Sequence, residues 1–282
     1  MKVNQSLPFL AAFAGMVSVQ TGAAFAKTLF PVIGSEGVAA LRLGISAIVL
    51  LAVFRPWTLC NSGVSWGSMA LYGIVLALMN LLIYRAFAYI PVSIAISIEV
   101  MGPLAAALLT SRKKIDLLWI LLSAFGMVLL AIGDIHNVID IRGVAYSLAA
   151  ALFWGIYVIV GKRVSGGGGR SVATGMTVAA LLAVPLGTAQ AGSALLIPSV
   201  LLTGLCVAIL SSMLPFLLDM YAMRRLPSRV FGVLLSGSPA VSALAGWIIL
   251  NERLSPMQCT GILSVMAACA GCAVFARPAA PS

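Results

Sequence analysis

Charged side chains are scarce in this chain of 282 residues: only 9% are Asp, Glu, Lys or Arg, while 62% are hydrophobic. A typical soluble domain carries roughly 25% charged residues. A soluble core cannot bury so much apolar surface. The composition therefore excludes an ordinary soluble protein and predicts an all-α protein that crosses a membrane several times.

Motifs for catalysis and nucleotide binding are missing as well. The only histidine, His136, falls in a predicted loop, and the chain contains no GxSxG, HExxH or Walker sequence. Cys269 and Cys272 form a CxxC pair without a histidine or a second cysteine pair, so we interpret them as helix-packing residues. We predict no enzyme activity, no cofactor and no metal, and any transport must be secondary.

The net charge of +10 does not indicate nucleic acid as a partner, because the basic residues stand at the ends of apolar runs. Ten such runs are long enough to cross a bilayer as helices. They lie at 7–29, 36–54, 66–88, 91–111, 115–133, 143–162, 171–191, 196–222, 227–250 and 255–276. The first run imitates a signal peptide, but no polar segment follows it, so we expect it to be retained.

Basic residues also predict the orientation. With both termini in the cytoplasm, most of the 17 Lys and Arg residues fall on the cytoplasmic side, as the positive-inside rule requires. The outer loops then hold only two basic residues, together with most of the acids. These outer residues are Glu36, Asp134, Asp140, Arg142, Glu252 and Arg253.

The ten predicted spans divide into two halves, 1–136 and 137–282. Pro91 and Pro103 in the fourth span match Pro227 and Pro239 in the ninth at a constant offset of 136. Five spans per half give the halves opposite orientations. Such inverted repeats are a common plan of secondary transporters, with the substrate site at the repeat interface near the membrane centre.

Glu99 is an acid in the middle of the fourth span, about 12 Å from one end and about 20 Å from the other at the helical rise. Burying it costs at least about 2.5–3.5 kcal/mol. It is therefore a candidate for binding a substrate ammonium or for coupling to protons, or else for a structural pair with Arg42 or Lys27. Gly102 shares its helix face, and Pro103 frees a carbonyl nearby.

Other polar residues recur on single helix faces and predict a modest polar cavity. Asp219 is expected to pair with Arg224 or Arg225 at the surface, with gating as the alternative. The fifth and tenth spans are rich in small residues, and we interpret them as faces for helix packing or oligomerisation. The cavity residues are Gln20, Asn80, Tyr84, Trp154, Tyr157, Ser212, Pro215, Ser236 and Pro239.

Three segments resemble the threonine and homoserine exporters of the EamA-type branch of the drug/metabolite transporter superfamily. They are VSVQTGAAFAKTLFPVIGSEGVAALRL, MNLLIYRAFAYIPVSIAISIEVMGPLAAALLTSRK and AILSSMLPFLLDMYAMRRLPSRVFGVLLSGSPAVSALAGWIILNERLSPMQ. The resemblance implies ten helices in two inverted halves, the bacterial inner membrane, amino-acid export and proton antiport. It places on shared positions Gln20, Lys27, Arg42, Asn80, Glu99, Gly102, Pro103, Pro215, Asp219 and Pro239.

One departure from that pattern concerns the ninth span, where Ser238 stands in place of a glutamate before Pro239. Glu99 is then the only acid near mid-membrane. We expect it to bind the substrate ammonium, with the freed carbonyls near Pro103 or Pro239. The carboxylate of the substrate would bind Lys27, Arg42 or Arg85 on the outward side. The side chains of Tyr84, Trp154 and Tyr157 would line the pocket.

Several alternatives stay open. The substrate is either a small amino acid or another small metabolite, such as an aromatic amino acid or an anion, and facilitated diffusion is an alternative to antiport. Lys27, Arg42, Arg85, Glu99 and Asp219 are the candidates for coupling or gating. A structural membrane subunit without flux is a different class. The expected partners are the substrate, protons and lipid, and the expected assembly is a monomer or a weak homodimer.

Overall fold

A computed structural model describes residues 6–55, 65–109, 115–132, 140–226, 231 and 234–275. Across these ranges the regular structure is helical, without a strand. The predicted boundary between the halves at 136/137, the histidine His136 and the proline Pro227 lie outside the described residues.

The helices follow one another along the chain with short connections. They are α1 Ser6–Lys27, α2 Phe30–Phe54, α3 Trp66–Phe87, α4 Val92–Glu99, α5 Met101–Leu109, α6 Asp116–Ile132, α7 Ile141–Val164, α8 Gly169–Ala191, α9 Pro198–Ala208, α10 Leu214–Met223, α11 Ser238–Leu250 and α12 Pro256–Phe275. A turn of π-helix, Ile209–Met213, joins α9 to α10.

Six stretches of this helical chain are long and apolar enough to cross a membrane: Leu7–Lys27, Phe30–Phe54, Trp66–Phe87, Ile141–Gly167, Gly169–Leu196 and Pro198–Ala222. Shorter apolar helices cover Val92–Ala105, Leu117–Leu130, Ser238–Leu250 and Pro256–Cys272. Each predicted apolar run therefore contains helix, and the prediction of a membrane protein built from helices is confirmed.

The second apolar run was predicted to begin at residue 36, and the structure adds a turn of helix before it. Helix α2 begins at Phe30, with a proline in its first turn, where the missing N–H costs nothing. Gly34 then interrupts it with a φ of 68°, a left-handed backbone that residues with a side chain rarely adopt. The uninterrupted part of α2 therefore begins just after Gly34, close to the predicted start, and the turn before this break is what the apolar pattern did not predict.

Two further interruptions occur at related places in the chain. A turn at Val100 separates α4 from α5, just after Glu99 and before Pro103. A turn at Ser236 and Gly237 precedes α11, before Pro239. Both helices are thus broken immediately before the prolines that the sequence comparison of the halves had paired.

Packing between helices is close where glycine and small residues meet. Helix α2 lies along α8, α3 along α7, and α6 along α12. A Cβ added at Gly126 would come within 2.8 Å of the Gly261 carbonyl oxygen, so α6 and α12 approach backbone to backbone. The small-residue faces of the fifth and tenth spans pack against each other within the chain.

Helix α1 belongs to the same bundle. It packs against α10, α11 and the π turn, and Ala24 and Ala26 are fully buried. Gly22 lets α1 touch the backbone of the π turn, because a Cβ there would meet Ser211 at 2.8 Å. The first predicted run is therefore a helix packed inside the bundle.

Candidate functional site

A buried arginine on α2 is the centre of a polar cluster formed with α3 and the π turn. Arg42 is only 2% exposed. Its Nη1 donates to the Ser211 carbonyl oxygen at 2.8 Å, to Ser211 Oγ at 3.1 Å and to Ser212 Oγ at 3.2 Å. Its Nη2 donates to Asn80 Oδ1. Its Nε has no hydrogen-bond partner among the described residues.

The Ser211 carbonyl is free to accept from Arg42 because a proline follows four residues later in the chain. In an α-helix this carbonyl would accept from the N–H of residue 215, but that residue is Pro215 and has no N–H. The π turn frees the neighbouring Leu210 carbonyl too, and Ser18 Oγ on α1 donates to it at 2.7 Å. Such turns are frequent at functional sites.

Helix α3 supplies two residues one turn apart. Asn80 donates from Nδ2 to the Leu76 carbonyl at 2.7 Å, which fixes its amide so that Oδ1 accepts from Arg42. The Arg42 guanidinium lies over the Tyr84 ring, 4.3 Å from its centroid. Tyr84 packs on Phe87, 5.3 Å between centroids, and its hydroxyl has no partner among the described residues.

Glu99 ends α4 and is 6% exposed. It interacts electrostatically with Arg42. No oxygen of Glu99 forms an ion pair with Arg42 within 4.0 Å, since the ion pairs among the described residues are two others. A buried acid and a buried base are therefore near enough to interact but form no ion pair. We call Arg42, Asn80, Tyr84, Glu99, Ser211 and Ser212 the central site.

Lys27, which was expected to meet a substrate carboxylate or to pair with Glu99, pairs with Glu252 instead. Its Nζ lies 2.9 Å from Glu252 Oε1 and donates to the Ile90 carbonyl at 3.3 Å. Glu252 also accepts from the Val92 N–H, at 3.1 Å to Oε2. These residues tie the end of α1 to the start of α4 and to the segment after α11, and we call them the Lys27 clamp.

Arg85 is likewise engaged away from the central site. Its Nε donates to Glu36 Oε1 at 2.7 Å, and its Nη2 bonds to the same oxygen. Sequence reasoning treated Glu36 and Glu252 only as charges of outer loops. Their roles as partners follow from the folding of α2 and of the α11–α12 connection, which brings them beside bases distant in sequence.

The prediction that Asp219 pairs with Arg224 or Arg225 is wrong for the described residues. Arg224 donates to carbonyls of the turn 165–167, at 2.6 Å to Ser165, and Arg225 lies over the Tyr221 ring at 3.9 Å. The buried Oδ1 of Asp219 has no hydrogen-bond partner in this part of the chain. Helix α10 turns the carboxylate into the bundle, toward α1, rather than to the surface.

Asp219 is near a pair of tyrosines, with which it interacts electrostatically. The hydroxyls of Tyr72 and Tyr157 are 3.2 Å apart, and their rings stack with centroids 5.2 Å apart. Phe216 packs edge-on against Tyr157 at 6.1 Å. Tyr157 thus joins this second cluster and makes no contact with Arg42.

The remaining predicted residues lie at different places in the bundle. Gly102 packs against α7, because a Cβ there would collide with the Ala151 carbonyl. Trp154 is half-buried against the apolar core, and Pro103 is half-buried on α5. Pro239 is buried in the first turn of α11. Gln20 is buried on α1, with Oε1 lacking a partner among the described residues.

Sequence reasoning missed Ser211, which accepts from Arg42 with both its carbonyl and its hydroxyl oxygen. A signal was present, since a proline four residues after a serine in an apolar run frees that serine's carbonyl. Of the predicted residues, the structure brings together Arg42, Asn80, Tyr84, Glu99 and Ser212.

Comparison with known proteins gives a consistent result. The model of the EamA-like transporter family matches residues 141–274. The chain is 41% identical over 273 residues to the threonine/homoserine exporter RhtA of Escherichia coli (strain K12), covering 96% of this chain and 92% of that protein. It is 40% identical, with the same coverage, to the threonine/homoserine exporter RhtA of Salmonella typhimurium (strain SL1344).

A solved crystal structure of a protein is similar in fold. The TM-score is 0.70, the sequence identity is 17%, and the match covers 98% of this chain and 99% of the other. At this identity the likeness concerns the fold alone.

Proposed function

Because this chain belongs to the EamA-like transporter family, we propose that it is a secondary transporter that exports small amino acids of the threonine and homoserine type across the bacterial inner membrane. The relatives are named as exporters, and the chain is a transporter rather than an enzyme. The observation that carries the proposal is the pair of buried, opposite charges in the central site, which are separated from each other.

The carboxylate of the substrate binds at Arg42. This guanidinium is buried and hydrogen-bonded to neutral acceptors: a carbonyl, two hydroxyls and an amide. A buried charge is costly unless an opposite charge neutralises it. A substrate carboxylate supplies that charge. Within the central site, the Arg42 Nε and the Tyr84 hydroxyl are donors without a hydrogen-bond partner among the described residues.

The ammonium of the substrate binds at Glu99. An amino acid carries its two charges on adjoining groups, so it can bind a nearby acid and base that form no ion pair with each other. Gln20 Oε1 is a second buried acceptor without a partner among the described residues. It suits either the ammonium or the hydroxyl that threonine and homoserine carry on their side chains.

Proton antiport follows from competition at Glu99. One carboxylate can hold a proton or pair with an ammonium, but it does not do both. A proton arriving from outside displaces the ammonium, and an ammonium arriving from inside displaces the proton. Position 238, directly before Pro239, is a serine, so Glu99 is the acid of the central site that can take part in this exchange.

The architecture that supports this cycle is two inverted halves of five spans, 1–136 and 137–282, with both termini in the cytoplasm. The turns at Val100 and at Ser236 interrupt the fourth and ninth spans at corresponding positions, as expected of inverted repeats. In this orientation the Lys27 clamp is at the outer end and acts as a gate. Asp219 and the tyrosine pair are at the inner end.

The test is efflux of labelled threonine from proteoliposomes, with and without a proton gradient. Glu99→Gln is compared with wild type and with Asp140→Asn, a matched change of an acid to its amide. Asp140 only caps α7, and asparagine caps a helix equally well. We expect gradient-driven efflux in wild type and Asp140→Asn and its loss in Glu99→Gln. Gradient-driven efflux that persists in Glu99→Gln would refute the coupling role.

A further inference from the structure

A cavity of about 460 Å³ opens at the end of the bundle opposite the tyrosine pair. It is formed by the start of α2, the end of α3, the first turns of α7 and the end of α8. Sites for small molecules are typically roughly 300–1,000 Å³, so this volume suits an amino acid. We call it the outer cavity, and the residues used below are Gly34, Glu36, Arg85, Tyr89, Tyr146 and Gln190.

The ion pair between Arg85 and Glu36 lines the outer cavity. Both bonds between Arg85 and Glu36 go to one carboxylate oxygen, Oε1, from Nε and Nη2. Glu36 Oε2 and Arg85 Nη1 are outside those bonds. The side chains are 38% exposed for Arg85 and 18% for Glu36, so both are within reach of a ligand from the cavity.

Two stacked aromatic rings, those of Tyr146 and Tyr89, lie beside the Arg85 guanidinium. The guanidinium lies 5.8 Å from the centroid of the Tyr146 ring, which stacks on Tyr89 with centroids 5.9 Å apart. A guanidinium supported by an aromatic face keeps its orientation and presents its N–H groups as a planar fork. This geometry is suited to a carboxylate.

Gln190 also lines the outer cavity. Its Oε1 accepts from the backbone N–H of Glu36 at 2.9 Å and of Gly37 at 3.3 Å, which leaves its NH₂ group as a donor for a ligand. Gly34 makes this possible, since its φ is 68° and a Cβ would come within 2.5 Å of Gln190 Oε1. The break in α2 therefore places an amide beside the ion pair.

We propose that the outer cavity is a second binding site for an amino-acid zwitterion, separate from the central site. The substrate carboxylate binds Arg85 and the Gln190 NH₂ group, and its ammonium binds Glu36. The two sites share no residue. The identity of the ligand rests on the proposed function. As the outer end of the export path, this site receives the substrate after its release and lets external amino acid slow further efflux.

Equilibrium dialysis of labelled threonine against the purified full-length protein in detergent counts the sites. We expect two equivalents bound by wild type and one by Arg85→Gln, with the affinity of the lost site reduced at least about tenfold. Glu36→Gln weakens the same site. Arg253→Gln is the matched control, because it removes an exposed arginine that does not line the cavity, and it keeps both sites.

Other outcomes are equally decisive. One equivalent bound by wild type, lost in Arg42→Lys and kept in Arg85→Gln, overturns the outer site and leaves the proposed function intact. Loss of both sites in Arg85→Gln with an unchanged melting curve shows that the ion pair also supports the central site, and it overturns the claim that the outer cavity is a separate site. No threonine bound by wild type overturns the proposed function and this inference with it.

Discussion

Replacing Pro215 by alanine separates the stability of the fold from the affinity for substrate. Alanine restores an N–H that can bond to the carbonyl of Ser211 or of Leu210 within the helix. In the wild-type protein Arg42 donates to the Ser211 carbonyl and Ser18 donates to the Leu210 carbonyl. The new donor competes with both side chains, so the guanidinium loses part of its support while the helix gains a bond.

The magnitude follows from the bonds involved. A backbone hydrogen bond contributes about 0.5–1.5 kcal/mol net, and one that involves a charged group about 1.5–3 kcal/mol. The competition is therefore partial, and we expect substrate affinity to fall by about 1 kcal/mol, or roughly fivefold. The melting temperature should rise or stay unchanged, since proline is tolerated in this turn but is no better than alanine there.

The assay is threonine binding together with thermal unfolding in detergent, for Pro215→Ala and for Pro185→Ala. Pro185 is inside α8, is exposed and has no neighbour in the central site, so it controls for the removal of a helical proline. We expect both variants to keep or gain stability and only Pro215→Ala to lose affinity. Equal affinities in the two variants would refute the role of the Ser211 carbonyl in holding Arg42.

Three further predictions concern packing and buried charge. Gly102→Ala should destabilise the protein by about 1–3 kcal/mol, because its Cβ collides with the Ala151 carbonyl; an unchanged melting temperature would contradict this contact. Asp219→Asn should not lower the melting temperature, because it removes a carboxylate whose buried Oδ1 has no partner among the described residues. A clear drop would reveal a stabilising role of the charge. Glu252→Gln should lower the melting temperature more than Lys27→Gln, because only the first change also weakens the bond to the α4 N-terminus, and equal shifts would refute that bond.

The fold was largely predictable because hydrophobic runs of helical length leave few alternatives. The scarcity of charge and the spacing of the apolar runs predict the helices, and most of their ends agree with the structure to within a few residues. The exceptions are α11, which begins at Ser238 in a run predicted from 227, and the first turn of α2. There, Gly34 breaks the helix through its backbone conformation, which periodicity does not record.

The site was predictable where one helix carries the signal. Asn80 and Tyr84 stand one turn apart, and Glu99 is an acid in an apolar run, so both patterns pointed to the cluster that Arg42 joins. The sequence left Lys27, Arg42 and Arg85 as alternatives for binding the substrate carboxylate. It did not predict that Lys27 and Arg85 each pair with an acid of their own.

Contacts between distant segments explain the remaining differences. Glu252 reaches Lys27 across 225 positions, and no local pattern links them. Asp219 is only five residues before Arg224, yet the helix carries the acid into the bundle while the arginine turns to the carbonyls of 165–167. Proximity in the chain was a poor guide here because a helix rotates neighbouring side chains to different faces.

The measurement that tests the central claim most directly is the binding of threonine and two of its analogues to wild type, Arg42→Lys and Glu99→Gln. Threonine amide lacks the carboxylate, and the corresponding 2-hydroxy acid lacks the ammonium. All are measured with Arg85→Gln present, so that the central site alone is counted. We predict that Arg42→Lys weakens the binding of threonine and of the hydroxy acid but not of the amide, and that Glu99→Gln weakens that of threonine and of the amide but not of the hydroxy acid. Equal losses for all three ligands in both variants would contradict the assignment of the two charges to Arg42 and Glu99.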